Sequence, residues 1–247
     1  MCIRDSSFSI VANGASQADL GKWVNEFFTD IPAQARAELK SPQSKYYGGE
    51  ERIAHGSGNS MVLAFPGSSS PTGGFYKPEV AVLAALLGGQ SSIKWSSGFS
   101  MLAKASSETP NLKIASQSHI YSDAGLLTIS LDGSARDIAH AAPKVVGALK
   151  SISEGFSSED FAKAKALAKY RELEFGQSTM SGMELTGSGL VQQGKPYQID
   201  EVAKSVDSVT EDKVKQIARE ALENRASVST VGELFVLPYA EEIGLKV

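Results

Sequence analysis

Three histidines, His55, His119 and His140, are the first residues to test for chemistry. No two of them stand in H-x-x-E-H or H-x-H spacing, so the chain offers no local histidine pair for a metal. His119 and Asp123 are four apart and would share one face of a helix. Their segment reads as a strand, along which four residues span about 13 Å, too far for one ion. All three histidines are therefore expected at the surface or on a sheet face. The serines are numerous, but none sits in G-x-S-x-G and no S-x-x-K comes with a partner set. A serine without an adjacent base is a weak nucleophile. Residues 189–196, GLVQQGKP, match G-x-x-x-x-G-K and then place Pro196 where a phosphate loop needs a magnesium-binding Ser or Thr. A helix-like segment precedes them where that loop needs a strand. They are expected to be a helix end, stopped by Gly194 and Pro196.

Neighbouring carboxylates, Glu50–Glu51, Glu159–Asp160 and Glu241–Glu242, diverge on a strand or helix and do not form acid–base pairs. They read as solvated faces and caps, and Lys163, Lys165 and Lys169 read as a solvated face as well. One stretch stands apart. Residues 88–105 read GGQSSIKWSSGFSMLAKA. It lacks G-x-G-x-x-G. Gly88, Gly89 and Gly98 give it conformational freedom, Trp95 could anchor a partner, and Lys94 could meet an acidic group. The residues leave two readings open, a peptide or partner contact loop and a plain connector.

The elements that would position these residues follow from periodicity. Residues 8–12 read as a strand closed by Asn13-Gly14. Ser16 can cap a helix to residue 28 that spaces Leu20, Trp23, Val24, Phe27 and Phe28 on one face. A polar stretch between Pro32 and Pro42 reads as a linker, with a boundary near residue 43. Strands are expected at 50–54 and 60–65 around a glycine turn, and at 112–121 and 126–131 around Asp123-Ala124-Gly125. Pro78 suits the first turn of a helix ending at Gly88. Further helices are expected over 99–106, 135–153, 159–175, 180–192, 199–205 and 211–223, with a last strand at 226–231. Ser157 with Asp160 resembles a capping box, and Thr210 is placed as an N-cap with Val214, Ile217, Ala221 and Leu222 inward. Strands and helices do not alternate singly, which predicts an α+β fold with an antiparallel-rich sheet and helices packed on one face. A faint internal echo links SFSIVANG and its following helix with ASVSTVGELF and PYAEEIG.

Composition narrows the classes. The chain has 247 residues, a hydrophobic fraction of 42% and a net charge of −4. That charge argues against a nucleic-acid partner, which selects a basic face. The single cysteine, Cys2, excludes an intramolecular disulfide and a thiolate metal cage. The longest apolar run, 80–87, is far below the roughly 20 residues of a spanning helix. The start, MCIRDS, has no periodicity. Residues 1–6 are expected to be a non-native or disordered start joined to a chain that lacks its front.

Four segments together carry a resemblance: KYYGGEERIAHGSGNSMVLAFPG, GGQSSIKWSSGFSMLAKA, SQSHIYSDAGLLTISL and VGELFVLPYAEEI. They resemble the pitrilysin-like family, which takes in the mitochondrial processing peptidase and the core subunits of the respiratory ubiquinol–cytochrome c reductase. The resemblance implies a metallopeptidase-type half-domain. Residues 7–42 would be the last strand, helix and linker of a truncated first half, and 43–247 a complete second half. Active members hold zinc on an H-x-x-E-H helix of the first half, which this chain does not contain, so neither metal nor other cofactor is implied. They also place an arginine and a tyrosine near the loop, whereas residues 101–112 hold Lys104 and neither of those; Tyr121 matches another position. The implied function is a non-catalytic structural core subunit on the matrix side of the mitochondrial inner membrane. Its partners would be a companion core subunit and the rest of the respiratory complex. The alternative is a non-catalytic substrate-binding subunit, or the C-terminal half, of a processing peptidase. The loop with Gly88, Gly89, Lys94, Trp95 and Gly98 takes the place of a presequence-engaging glycine-rich loop, with fewer glycines. Without a first half, Phe8, Ile10, Trp23 and Phe27 are expected to be exposed and the isolated chain to self-associate.

Overall fold

The computed structural model describes residues 8–31, 43–89, 100–106, 109 and 111–247. The expectations placed on 1–6, on the linker, and on Lys94, Trp95 and Gly98 lie outside them. In chain order the elements are α1 (Gln17–Phe27), β1 (Gly49–Ala54), β2 (Asn59–Pro66), α2 (Pro78–Leu87), α3 (Met101–Ser106), β3 (Lys113–Ile120) and β4 (Gly125–Gly133). There follow α4 (Ala135–Glu154), α5 (Ser158–Gln177), α6 (Thr179–Gln193), α7 (Ile199–Asp207), α8 (Glu211–Glu223) and β5 (Ser227–Gly232).

The strands form one sheet in the order β1-β5-β2-β4-β3. Three of its pairings are antiparallel, and β1 runs parallel to β5. Period-two alternation sets the buried face. Met61, Leu63 and Phe65 of β2 stand opposite Leu131, Ile129 and Leu127 of β4, and all six are buried. Such cross-strand apolar pairs pin the register, because a one-residue slip would turn every one of them to the other face. Helices α2, α4 and α8 close this face with Leu83, Leu86, Val145, Leu149, Val214 and Ile217 in one core. The fold is thus an α+β layer with an antiparallel-rich sheet and helices on one face.

Local signals placed the helix ends well. The Asp19, Asp137 and Asp160 N–H groups donate to Ser16, Ser134 and Ser157 Oγ at 3.2, 3.2 and 3.0 Å. Pro78 opens α2. Gly194 closes α6 at φ 68°, so GLVQQGKP is a helix end.

Several expectations need correction. Residues 8–12 are not a strand, since strand structure exists only through pairing and the sheet does not take them up. They lie on α6 instead, where Ser9 Oγ donates to the Gly187 carbonyl at 2.9 Å. The echo with β5 therefore stops at the sequence. Strands β1 and β2 are not paired across their glycine turn, because β5 inserts between them. Thr210 is the N-cap of α8 but makes no side-chain cap bond. Leu222 is half-buried and Ala218 takes the buried place beside Ile217. Lys165 and Lys169 are more than a solvated face. Lys165 Nζ donates to the Asp207 and Val209 carbonyls (2.5 and 3.1 Å), and Lys169 Nζ pairs with Asp207 (2.5 Å). Both bring positive charge to the end of α7, where carbonyls are unpaired and the dipole is negative.

Helix α1 buries none of its residues. Trp23 and Phe27 stack at 5.6 Å, yet both are exposed, as are Phe8 and Ile10. The exposure expected for these four residues is observed.

Candidate functional site

The neck of the 88–100 loop is built from two glycines and two serines. Helix α2 ends at Gly88, which has φ 63° and donates to the Ala84 carbonyl at 2.8 Å. A β-carbon there would overlap the Ser100 side chain. Only glycine meets both demands, a left-handed backbone and no side chain. The Gly88 carbonyl accepts from Ser116 N–H (3.0 Å) and Ser116 Oγ (2.5 Å), which ties the end of α2 to β3. Gly89 forms a lone antiparallel bridge with Ala115. Ser100 Oγ meets both Gly89 N–H and Gly89 carbonyl at 3.3 Å, and it accepts from Ala103 N–H at the start of α3. The two ends of the loop thus meet at Gly89 and Ser100, on the rigid corner of α2, α3 and β3.

The histidines do not converge. His55 is exposed in the turn after β1, with Nδ1 2.6 Å from the Ser57 carbonyl; His119 is exposed on β3 and His140 on α4. Among the described residues, no three His, Cys, Asp or Glu side chains gather to hold a metal ion. No helix among them is long and apolar enough to cross a membrane.

A second cluster escaped sequence reasoning. Arg52 on β1 donates to the carbonyls of Leu234 (3.0 Å), Leu237 (2.7 Å) and Pro238 (2.7 Å), and its guanidinium lies 3.9 Å from the Tyr239 ring centre. Glu50 Oε1 sits 3.3 Å from Arg52 and accepts from Ala240 N–H at 3.2 Å. Glu50 is therefore not a solvated carboxylate; its side chain is only 14% exposed. The i,i+2 spacing of Glu50 and Arg52 put both on one strand face. Nothing local announced a partner some 180 residues away.

Two further cavities are polar-edged. One of about 480 Å³ at the sheet end is lined by Lys45, Tyr46, Phe75, Lys77 and Tyr121. Residues 43–48 strap across it: Ser44 N–H donates to Asp123 (2.8 Å) and Tyr46 Oη to the Ala64 carbonyl (2.8 Å). The Ser44 hydrogen bond holds the Asp123 carboxyl below its ordinary value of 3.8. The other, about 260 Å³, lies between the 71–76 loop, the 195–198 turn and α7. There the Tyr76 hydroxyl is buried with no hydrogen-bond partner among the described residues, and the neighbouring Ser205 Oγ donates to the Val202 carbonyl at 2.7 Å. Burial, with Glu172 nearby, pushes the Tyr76 hydroxyl well up, and burial pushes the Glu172 carboxyl up as well.

Residues 3–168 match the peptidase M16 inactive domain, and the chain belongs to that family. The single sheet with one helical layer seen among the described residues is consistent with a half-domain of that inactive class. Among particular proteins, the chain is 45% identical over 243 residues to the cytochrome b-c1 complex subunit 2, mitochondrial, of Neurospora crassa, covering 98% of this chain and 53% of that one. The subunit of the same name from Cryptococcus neoformans is 30% identical over 97% of this chain and 54% of its own. The chain thus spans about half the length of these relatives. A chain in the solved structure of complex III2 from Candida albicans with Inz-5 bound superposes with a TM-score of 0.79. It covers 93% of this chain and 56% of that one at 15% identity, a likeness of fold alone.

Proposed function

We propose that this chain is the second half of core protein 2, a non-catalytic structural subunit of the mitochondrial ubiquinol–cytochrome c reductase. It pairs with core protein 1 and supports the other subunits from the matrix side of the inner membrane. The observation that carries this reading is the 45% identity to the Neurospora subunit across 98% of the chain, within a family described as inactive. Residues 8–31 are read as the tail of a preceding half and 43–247 as a whole half-domain, which agrees with the uncovered apolar face of α1. The loop of Gly88, Gly89, Lys94, Trp95 and Gly98 is assigned to contact with a partner or peptide; its neck, where Ser100 Oγ meets Gly89, supports this by fixing where the stretch leaves the fold.

The test is the composition of the native complex. Trypsin releases residues 114–136 between Lys113 and Arg136, a peptide with no internal cleavage site. It should be recovered from the purified complex in proportion to cytochrome b. Its absence from an intact, active complex would refute the reading. A photoreactive residue in place of Trp95 should cross-link a subunit or a presequence peptide. Labelling by solvent alone would assign the loop to connection.

A further inference from the structure

Phe235 is 103% exposed, more than any other large apolar side chain among the described residues. A lone exposed phenylalanine needs no explanation when its backbone is free, because it can fold away. Here it cannot. Arg52 grips the carbonyls on both sides, at Leu234 and at Leu237 and Pro238. Glu233 N–H is anchored on Asn59 Oδ1 at 2.9 Å, Glu233 carbonyl accepts from Val236 and Leu237 N–H at 3.1 Å, and Leu237 is buried. The turn is held at both ends with its aromatic ring outward. Beside the ring is a hollow of about 760 Å³ lined by His55, Asn59, Leu234 and Tyr239. Glu233 lines the hollow, and Glu242 Oε2 accepts from the N–H of its lining residue Tyr239 at 2.8 Å. Residues 232–245 hold Glu241 as well and no lysine or arginine. The charge of Arg52 is matched by Glu50 and directed at carbonyls.

We propose that the Phe235 knob and its hollow form a docking surface for another protein subunit, one that offers an apolar socket rimmed by lysine or arginine. This rests on the reading of the chain as a subunit of a complex. An aromatic carried on a backbone already held in place spares the cost of ordering the turn on binding, and aromatics are the usual energetic centres of interfaces. The acidic rim selects a basic partner and speeds its approach. An anionic lipid surface would be repelled. A second copy could offer basic charge only through a different surface, such as the cleft edged by Lys45 and Lys77, a head-to-tail contact rather than a symmetric one.

The experiment uses the full-length protein in its native complex with a photoreactive Phe235→benzoylphenylalanine substitution. A single other subunit should be labelled, at a peptide with Lys or Arg beside the cross-link. Glu233→Lys with Glu241→Lys should lower the yield about tenfold, and Phe235→Ala should leave the melting temperature unchanged while weakening association about tenfold or more. Cross-links only to lipid, to a second copy or within the chain would overturn the proposal. So would charge reversal without effect. If the wild-type protein is absent from the complex, the subunit reading fails instead, and a basic partner labelled elsewhere would leave the knob standing.

Discussion

The Arg52 guanidinium lies 3.9 Å from the centre of the Tyr239 ring and joins the edge strand β1 to turns near the end of the chain. The same group satisfies three carbonyls of the 234–238 turn that no backbone ladder could reach. A planar fork sets two nitrogens against separate carbonyls, whereas an ammonium gathers its donors on one atom.

Replacing Arg52 by alanine strands those carbonyls and leaves Glu50 without its cation. We expect a loss of about 2–4 kcal/mol, from roughly 1 kcal/mol per bond plus the ring contact. Arg52→Lys should recover less than half of it. Urea unfolding followed by circular dichroism measures both, and full rescue by lysine would show that charge alone holds the turn.

Gly88→Ala forces a side chain onto Ser100 from a left-handed backbone. The expected cost is about 2 kcal/mol or more, combining the left-handed penalty with the overlap. Gly147 in α4 provides the control, since nothing lies within 4 Å of its would-be β-carbon. Gly147→Ala should stabilise by about 0.5–1 kcal/mol. Two melting curves decide the matter, and equal effects would contradict the geometry of the neck.

Glu172 has its carboxyl raised by burial, so folding favours the protonated form. A raised folded value means its contribution is fully present below the unfolded value of 4.5 and is lost as pH rises through the folded value. Glu172→Gln should therefore leave stability near pH 4 unchanged and raise it at pH 7 to 8. Tyr76→Phe, which removes an orphaned buried hydroxyl, should be neutral or stabilising at every pH in that range. Denaturant midpoints across pH for the three proteins test both statements; a loss at pH 7 in either variant would refute its premise.

Trp23 and Phe27 stack on a helix with no buried residue, next to exposed Phe8 and Phe28. Such a contiguous apolar patch promotes association. Produced alone, the chain should bind a hydrophobic dye and elute above monomer size. Trp23→Lys with Phe27→Glu should reduce dye binding and oligomer content several-fold without changing the unfolding midpoint of the sheet core. A monodisperse, dye-free parent chain would contradict this.

Much of the fold was legible because its determinants are local. Ser16 and Ser157 each stand three residues before an aspartate whose N–H they cap, and Pro78 and Gly88 bracket α2. The neck glycines were singled out as flexible, and the structure places Gly88 in a left-handed conformation. What was not legible depends on distant pairing. Apolar alternation made 8–12 look like a strand, but no strand of the sheet pairs with it. Glu50 looked solvated because its partners, Arg52 turned inward and Ala240, are set by packing of the C-terminal turns.

By itself the sequence determined which residues face the core, where most helices start and stop, and the family to which the chain belongs. These follow from the 2.0 and 3.6 periods, from capping chemistry and from matched residues along the chain. Tertiary structure alone decided that β5 would insert between β1 and β2, and that Arg52 would clasp the 234–238 turn. The reason is physical. Strand order and long-range side-chain bonds are chosen by how the assembled layers bury their apolar faces and satisfy their carbonyls, and no short window of sequence contains both partners.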